Sequence, residues 1–550
     1  MLKQQYKGLN KRHRFRILGF LCLLILCVSI QALIQTSPQI PIKPVAPVAP
    51  ANKKLIKHKA DSLLLREGFP PIILLYNVVL AHEGVVMNCD SAYLDRENNT
   101  FEAFGDIKAT QGDTLFMYGK YLHYDANTQL LKIRRDVRLE NARDLVLMTD
   151  SLNYDRLANF CYYFDGGVVV DSVNELTSFW GQYEPALHLI TFNDSVRLTN
   201  PRFVLRSDTL MYHTETKIAT IMGPSVIESD SGTIYTNRGW YNTITDESLL
   251  LGRSLIVNKE GNMTLTGDSI FYNKREGFGE VFGNVFMQDT TKRVILGGDY
   301  VFYNELTDFA FATDSAYCIE YSQGDSLYLH GDTLKLVTDS VYRKMHAYNN
   351  VRFFRSDIQG VCDSMFFSTK DSVLYLYDDP VLWNESFQLS GDTVEVYMND
   401  STIRKALVKE SCFGIEQIDS LHFNQLKGNL ITVNFDEGNI HDILVEGNAE
   451  SIYFTKEKSG SLLRNRTESS FLLLEFKEKK FDRGRAWGGD SNGEIGPLHL
   501  FDSSAFRLRN FQWFDYLRPL NKDDIFRRVR KKSGSEQPRI SGKFRDTDND

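Results

Sequence analysis

The stretch Gly267–Asp289, GDSIFYNKREGFGEVFGNVFMQD, decides the reading of the whole chain. Asp268-Ser269 opens an alternating run in which Ile270 and Tyr272 fall on one face, because successive side chains of a strand point to opposite sides. Lys274 to Gly277 are turn-forming residues. Phe282-Gly283-Asn284-Val285-Phe286-Met287 then reads as the start of a second strand, with Val285 and Met287 sharing a face. The unit is thus two or three short strands and no helix.

Working outward, the same opening recurs at Asp90-Ser91, Lys120-Tyr121, Asp150-Ser151, Asp208-Thr209, Asp299-Tyr300, Asp332-Thr333, Asp363-Ser364, Asp392-Thr393 and Asp419-Ser420, with weaker copies near Gly181 and Asn237. A period of roughly 30 residues over about twelve copies is the mark of a stacked-repeat array, in which each unit buries its apolar face against its neighbours. The fold class expected is all-β, an elongated repeat array. Aromatic residues at 12% agree with strands rather than helices.

The positions two and four residues after each opening are apolar or aromatic almost throughout. They make one stripe along the array: Leu152, Tyr154, Leu210, Tyr212, Ile270, Tyr272, Val301, Tyr303, Leu334, Met365, Phe367, Val394 and Leu421, joined by Val285 from the second strand. From the pattern alone this stripe is either an ordinary closed core or the lining of an apolar trough.

The N-terminus carries Lys3, Lys7, Lys11, Arg12, Arg14 and Arg16 ahead of an apolar run from Ile17. Residues 1–34 read either as a secretory signal peptide or as a membrane anchor, with residues 17–34 as the tether. Both send the rest of the chain out of the cytoplasm. Residues 35–68 are a Pro-rich linker, 69–230 and 231–455 two stretches of β-repeats, 456–532 a C-terminal capping region and 533–550 a disordered tail. Within the capping region, Lys456–Glu468 reads as a loop, Phe471–Phe476 as a strand and Phe481–Pro497 as a Gly-rich loop. Phe511, Trp513, Arg518 and Pro519 follow as a Phe-x-Trp…Arg-Pro ending.

The formal charge of −8, concentrated outside the basic N-terminus, argues against nucleic acid as a partner. The seven cysteines are dispersed without a CxxC pair, and the eleven histidines form no HExxH, so neither a disulfide framework nor a metal site is indicated. Gly489-Asp490-Ser491-Asn492-Gly493 fits GxSxG, but Gly496 and Pro497 follow too soon for the helix that this motif needs. One Asp per repeat at a fixed offset points to a structural task, accepting backbone hydrogen bonds at a turn. No enzyme and no cofactor are expected. Arg197, Arg206, Arg352 and Arg355 are candidates for meeting anionic groups.

Asn77-Val78, Cys89-Asp90-Ser91-Ala92-Tyr93-Leu94, Phe104-Gly105-Asp106-Ile107, Gln111-Gly112-Asp113-Thr114-Leu115 and Tyr118-Gly119 resemble the amino-terminal part of OstA-like proteins. That family is related to LptA, the periplasmic component of lipopolysaccharide transport, here in the long form typical of Bacteroidetes. The resemblance implies an LptA-like open β-jelly roll, two facing antiparallel sheets with the stripe above lining a trough for acyl chains. It also implies lipopolysaccharide as cargo, an inner-membrane extractor and an outer-membrane translocon as partners joined through terminal strand edges, and Phe511, Trp513, Arg518 and Pro519 as an ending that caps or docks the last repeat. The competing reading is an exported β-solenoid that binds or cleaves polysaccharide. Such a protein concentrates carboxylates and basic residues in a few turns, whereas here they are spread evenly.

Overall fold

The computed structural model describes residues 56–531 apart from 66–70, 142–144, 322–324, 340–341, 400–402, 438, 458–459 and 479. The signal or anchor segment and the C-terminal tail lie outside the described residues. Among those described, 38 strands join in antiparallel ladders, with five short 3-10 turns and no α-helix.

The strands are longer than the sequence suggested. Met263–Asn273 and Phe278–Asp289 pair along their whole length, and the Asp-Ser and Gly-Asn motifs lie inside them rather than at their starts. Gly283 (φ 72°) and Asn284 (φ 47°) are both left-handed, and the ladder shifts register between Phe282 and Val285. Two such residues turn the strand sharply without ending it, as a bulge does. Equivalent pairs stand at Tyr76-Asn77, Arg135-Asp136, Asp194-Ser195, Gly252-Arg253, Asp314-Ser315, Asn349-Asn350, Asp378-Asp379, Glu410-Ser411 and Gly447-Asn448. The left-handed region is costly for most residues and cheapest for Gly, Asn and Asp. That is why the repeat shows Gly-Asn or Asn-Asn at this point, and why the motif resembles a hairpin turn in sequence.

At each of these corners the strand passes from one wall to a second wall that faces it. The residues before and after the corner pair with different halves of the neighbouring strand, as in Pro71–His82 against Val85–Asp95. The Asp of the Asp-Ser motif sits beside the corner of the next strand. Asp90 accepts the Asp106 N–H at 3.1 Å, Asp268 accepts the Asn284 side-chain amide at 3.0 Å and Asp332 that of Asn350 at 2.7 Å. The fixed offset of the Asp thus follows from the corner it holds.

Two expectations need correction. Leu421 lies in the turn before Phe423–Asp436, not on a strand, and is 36% exposed, because Asp419 makes a local turn by accepting the N–H groups of Leu421 and His422. The position equivalent to the Asp falls instead at Asn429, against which a Cβ on Gly447 would press. The ladder also extends beyond the expected bounds at both ends. Lys57–Lys59 and Ser62–Leu64, inside the expected linker, pair with Pro71–His82, and Asp61 accepts the Asn77 amide. At the other end Leu462–Lys477, of which only Phe471–Phe476 reads as a strand in the sequence, pairs with both Lys480–Trp487 and Asn492–Pro497, in the stretch that reads as a Gly-rich loop. Ser491 lies in the turn between those last two strands, and a strand rather than a helix follows it.

Candidate functional site: the space between the walls

The inward face of both walls is apolar, and it divides into two clusters of buried residues. One runs from Ile72 to Ile227 and the other from Leu250 to Leu472, with Ile234 half-buried against both. Leu152, Tyr154, Leu210 and Tyr212 belong to the first cluster and are fully buried. Ile270, Val285, Val301, Leu334, Met365 and Val394 belong to the second and are also buried. Tyr272 and Phe367 are half-buried, and Tyr303 is 39% exposed.

This difference follows distance from the corner. In the first cluster the apolar inward residues are buried out toward the tip of each wall, as Val85, Met87 and Cys89 on one side of the corner and Ala92 and Leu94 on the other. The walls there are in contact, and polar side chains tie their tips together. Tyr124 meets His82 Nδ1 at 2.8 Å, Tyr154 donates to Gln111 Oε1 at 2.8 Å, and Tyr183 accepts from Asn141 at 2.7 Å. In each pair the tyrosine is on one wall and its partner on the other.

In the second cluster, between about Leu265 and Leu374, burial is concentrated next to the corner, with Ala310, Leu329 and Phe353 buried farther out. Beyond that stretch Val396, Ala406, Val433 and Ile443 are buried one step out as well. One step out, Ile256, Leu265, Met287, Leu296 and Cys318 on one wall are half-buried, as is Leu327 a further step out, while Leu329 between it and the corner is buried. Opposite them Tyr272, Tyr303, Leu336, Met345, Phe367 and Leu374 are half-buried or exposed, Leu336 to 37%. The walls stand apart here, making a V with a dry vertex and an apolar, solvent-facing interior from about Leu265 to Leu374. The sequence reading missed Leu265 and Leu296 because it started each strand at the Asp. Carrying the period-2 alternation back through Gly267 and Gly298 identifies them.

The outer face of one wall is covered. Residues 498–531 begin on the last strands and then run back across earlier ones as a strap, so that Phe511, Trp513 and Arg518 dock on strands before the last repeat. Phe501 lies 4.4 Å from Arg464, Phe506 and Leu508 lie over Phe423 and Phe454, and Phe511 and Trp513 over Phe413 and Phe423. Phe514 and Leu517 then pack on Val381 and Trp383, and Phe526 on His330. Three buried glutamines hold the strap. Gln425 donates to Phe506 O (2.8 Å) and accepts from Leu508 N–H (2.8 Å). Gln388 does the same with Gln512 O (2.9 Å) and Phe514 N–H (2.7 Å), and Gln359 accepts from Arg518 at 2.6 and 2.8 Å.

The candidate arginines do not face the V. Arg197 and Arg206 are opposed on an outer face, Arg206 paired with Glu228, and Arg355 pairs with Asp357. Arg352 is buried beneath the strap near Asp524, and desolvation lowers its pKa to about 10. Cys89, Cys161, Cys362 and Cys412 are free and buried, and burial raises all four thiols. Among the described residues no cluster of His, Cys, Asp and Glu could hold a metal ion.

These features define the class: an all-β jelly roll whose repeated two-strand units each contribute to two facing walls. Residues 53–208 match the model of the OstA-like protein family. No curated protein matches the chain. Among solved structures, the chain is similar to LptH, the LptA homologous periplasmic component of the lipopolysaccharide transport device of Pseudomonas aeruginosa. The identity is 14%, covering 31% of this chain and 84% of that one, with a TM-score of 0.13. At that score the superposition carries no weight, and the fold rests on the ladders and corners described above.

Proposed function

We propose that this chain is a non-enzymatic carrier of lipopolysaccharide in the periplasm, holding acyl chains between its two walls on the way from the inner to the outer membrane. The observation that supports this reading is the V between Leu265 and Leu374, where apolar side chains of both walls remain half-exposed. A soluble protein rarely leaves a continuous apolar surface open without a ligand or partner for it. Acyl chains fit the need, since each CH₂ removed from water contributes about 0.8 kcal/mol, on the order of 10 kcal/mol for a twelve-carbon chain. The OstA-like match at the N-terminal end of the array agrees with that cargo.

In this reading the ends of the ladder meet partner β-proteins by strand addition, an extractor at the inner membrane and a translocon at the outer. Residues 17–34 direct export and, if retained, tether the chain to the inner membrane. The last strands carry Lys480, Asp482, Arg483 and Arg485, charges that discourage unspecific edge pairing.

The test is photo-crosslinking in cells. A photoreactive residue replaces Met287 or Phe367 inside the V, with outward Ser269 and Thr393 as controls. Lipopolysaccharide adducts at the inward pair alone are expected. Equal or absent adducts at the inward pair, in folded and exported protein, would remove the reading and favour polysaccharide binding on an outer face.

A further inference from the structure

We infer that acyl chains occupy only the open segment, and that a buried polar network centred on Asn174 and Tyr212 is the stop that ends the groove. The inference rests on the lipid-carrying reading above and departs from the simplest version of it, in which every repeat lines one continuous trough.

The wall-to-wall ties come once per repeat and then cease. Tyr124, Tyr154, Tyr183 and Tyr212 stand at the tip of one wall in successive repeats, and each meets a polar side chain of the other wall: His82, Gln111, Asn141 and Asn174. The fifth tyrosine of the row, Tyr241, donates instead to Asp246 in its own turn at 2.8 Å. The sixth, Tyr272, donates to Glu305 on its own wall at 3.2 Å. Polar residues persist at the opposite tips, but they too turn back on themselves. Asn258 accepts the Met263 N–H at 2.8 Å, and Asp289 accepts the Lys292 N–H at 2.8 Å.

The last tie is the most elaborate. Asn174 donates to Tyr212 Oη at 2.8 Å and to Thr243 Oγ1 at 2.9 Å, and accepts from Asn200 at 2.9 Å. Tyr212 donates to Asp171, which also holds Lys217 Nζ at 2.9 Å. Arg202 reaches across from its turn to the Thr243 carbonyl at 2.7 Å and to the Asp246 carboxylate. Asn174, Asn200 and Thr243 are all buried. An acyl chain passing this point would strip these groups of their partners and offer none in return, the costly way to break a buried polar network. Beyond it, between Leu265 and Leu374, no such network spans the walls among the described residues, and inside the tips the passage meets mainly apolar side chains such as Leu265, Met287, Leu296 and Phe367. The segment that matches the OstA-like family is then a closed spar that carries the groove at a distance, not part of the groove.

The experiment uses the full chain with its leucines replaced globally by the diazirine analogue photo-leucine, which preserves side-chain volume, and purified lipopolysaccharide as the probe. Adducts are mapped to individual leucines by mass spectrometry. Leu265, Leu296, Leu327, Leu336 and Leu374 are expected to carry at least tenfold more adduct than Leu139, Leu147, Leu198 and Leu205. Comparable adducts in both sets would overturn the confinement and leave the carrying reading intact. No adduct at any leucine of a chain whose circular dichroism is native would overturn the carrying reading itself, and the confinement with it. In the double variant Asn174→Ala/Tyr212→Phe, adducts should spread to Leu198 and Leu205. Their continued absence there would overturn the assignment of the stop to this network.

Discussion

Asn284 donates its side-chain amide to the Asp268 carboxylate at 3.0 Å, sixteen residues back and on the neighbouring strand. The pair joins the two most recognisable motifs of the repeat, Gly-Asn and Asp-Ser, and shows that they form one structural element. A left-handed corner needs Gly or Asn in its backbone, and the adjacent Asp satisfies the polar groups that the corner turns aside.

Gly283→Ala should therefore be costly out of proportion to the single methyl added. The new Cβ would lie 2.5 Å from Asp268 Oδ2, on a backbone with φ of +72°. A loss of roughly 1–3 kcal/mol is expected from strain of this kind. In a repeat array it should appear as faster amide exchange within residues 263–289, not as uniform destabilisation. Ala at exposed Gly112, whose Cβ would meet nothing within 4 Å although its φ is also positive, should cost less.

The strap should depend on its glutamines. Gln388→Leu leaves the Gln512 carbonyl and the Phe514 N–H without their partners, at roughly 1–3 kcal/mol for each group that stays buried and unpaired. Limited proteolysis should then cut between Leu508 and Lys531 sooner than in the parent chain. Gln388→Glu keeps the acceptor for Phe514 and should show a smaller change.

Ending the chain at Pro497 should expose Trp383, Phe413, Phe423, Ile452 and Phe454 together, all buried in the full chain. Apolar patches of this extent drive self-association. Light scattering should report oligomers, while amide exchange across residues 72–227 should stay unchanged, because the strap does not touch that cluster.

The strap should also loosen in mild acid. Burial lowers the pKa of His330, only partly offset by its Nδ1–H bond to the Ala316 carbonyl at 2.7 Å, and Phe526 lies 5.0 Å from its ring. The unfolded chain therefore binds the proton more readily than the folded one. Stability is full above about pH 6.5 and declines as the pH falls below that value. Protease protection of the strap should drop between about pH 7 and pH 5, and His330→Gln should flatten the dependence.

The closed segment should hold to much lower pH. Burial alone would raise the Asp171 carboxyl, but hydrogen bonds from Tyr212, Lys217 and the N–H groups of Val173 and Asn174 outweigh it and keep the pKa below the usual carboxylate value. With the folded value below the unfolded one, the contribution is complete above about pH 4 and is lost as the pH falls through the folded value. Exchange of the amides around Asp171 and Tyr212 should accelerate only in that acid range, and Asp171→Asn should remove the dependence.

The sequence by itself determined the all-β class, the repeat of roughly 30 residues and the inward row that includes Leu210, Ile270 and Val394, because alternation and spacing are local properties of a strand. It misplaced Leu421, since a turn that starts with Asp419-Ser420 is spelled like the opening of a repeat. It placed the start of a strand at Phe282-Gly283-Asn284, although these residues lie inside Phe278–Asp289, because a left-handed corner within a strand is spelled like the entry to one. Only the tertiary structure decided where the walls touch and where they part. Tyr212 and Tyr272 occupy the same place in the repeat, yet one bonds to Asn174 across the walls and the other to Glu305 beside it. Only the folded chain could reveal the strap, too, because Gln388 and Phe514 are 126 residues apart and carry no mark of each other. Pairings of that range depend on the summed geometry of every repeat between them, which no local pattern records.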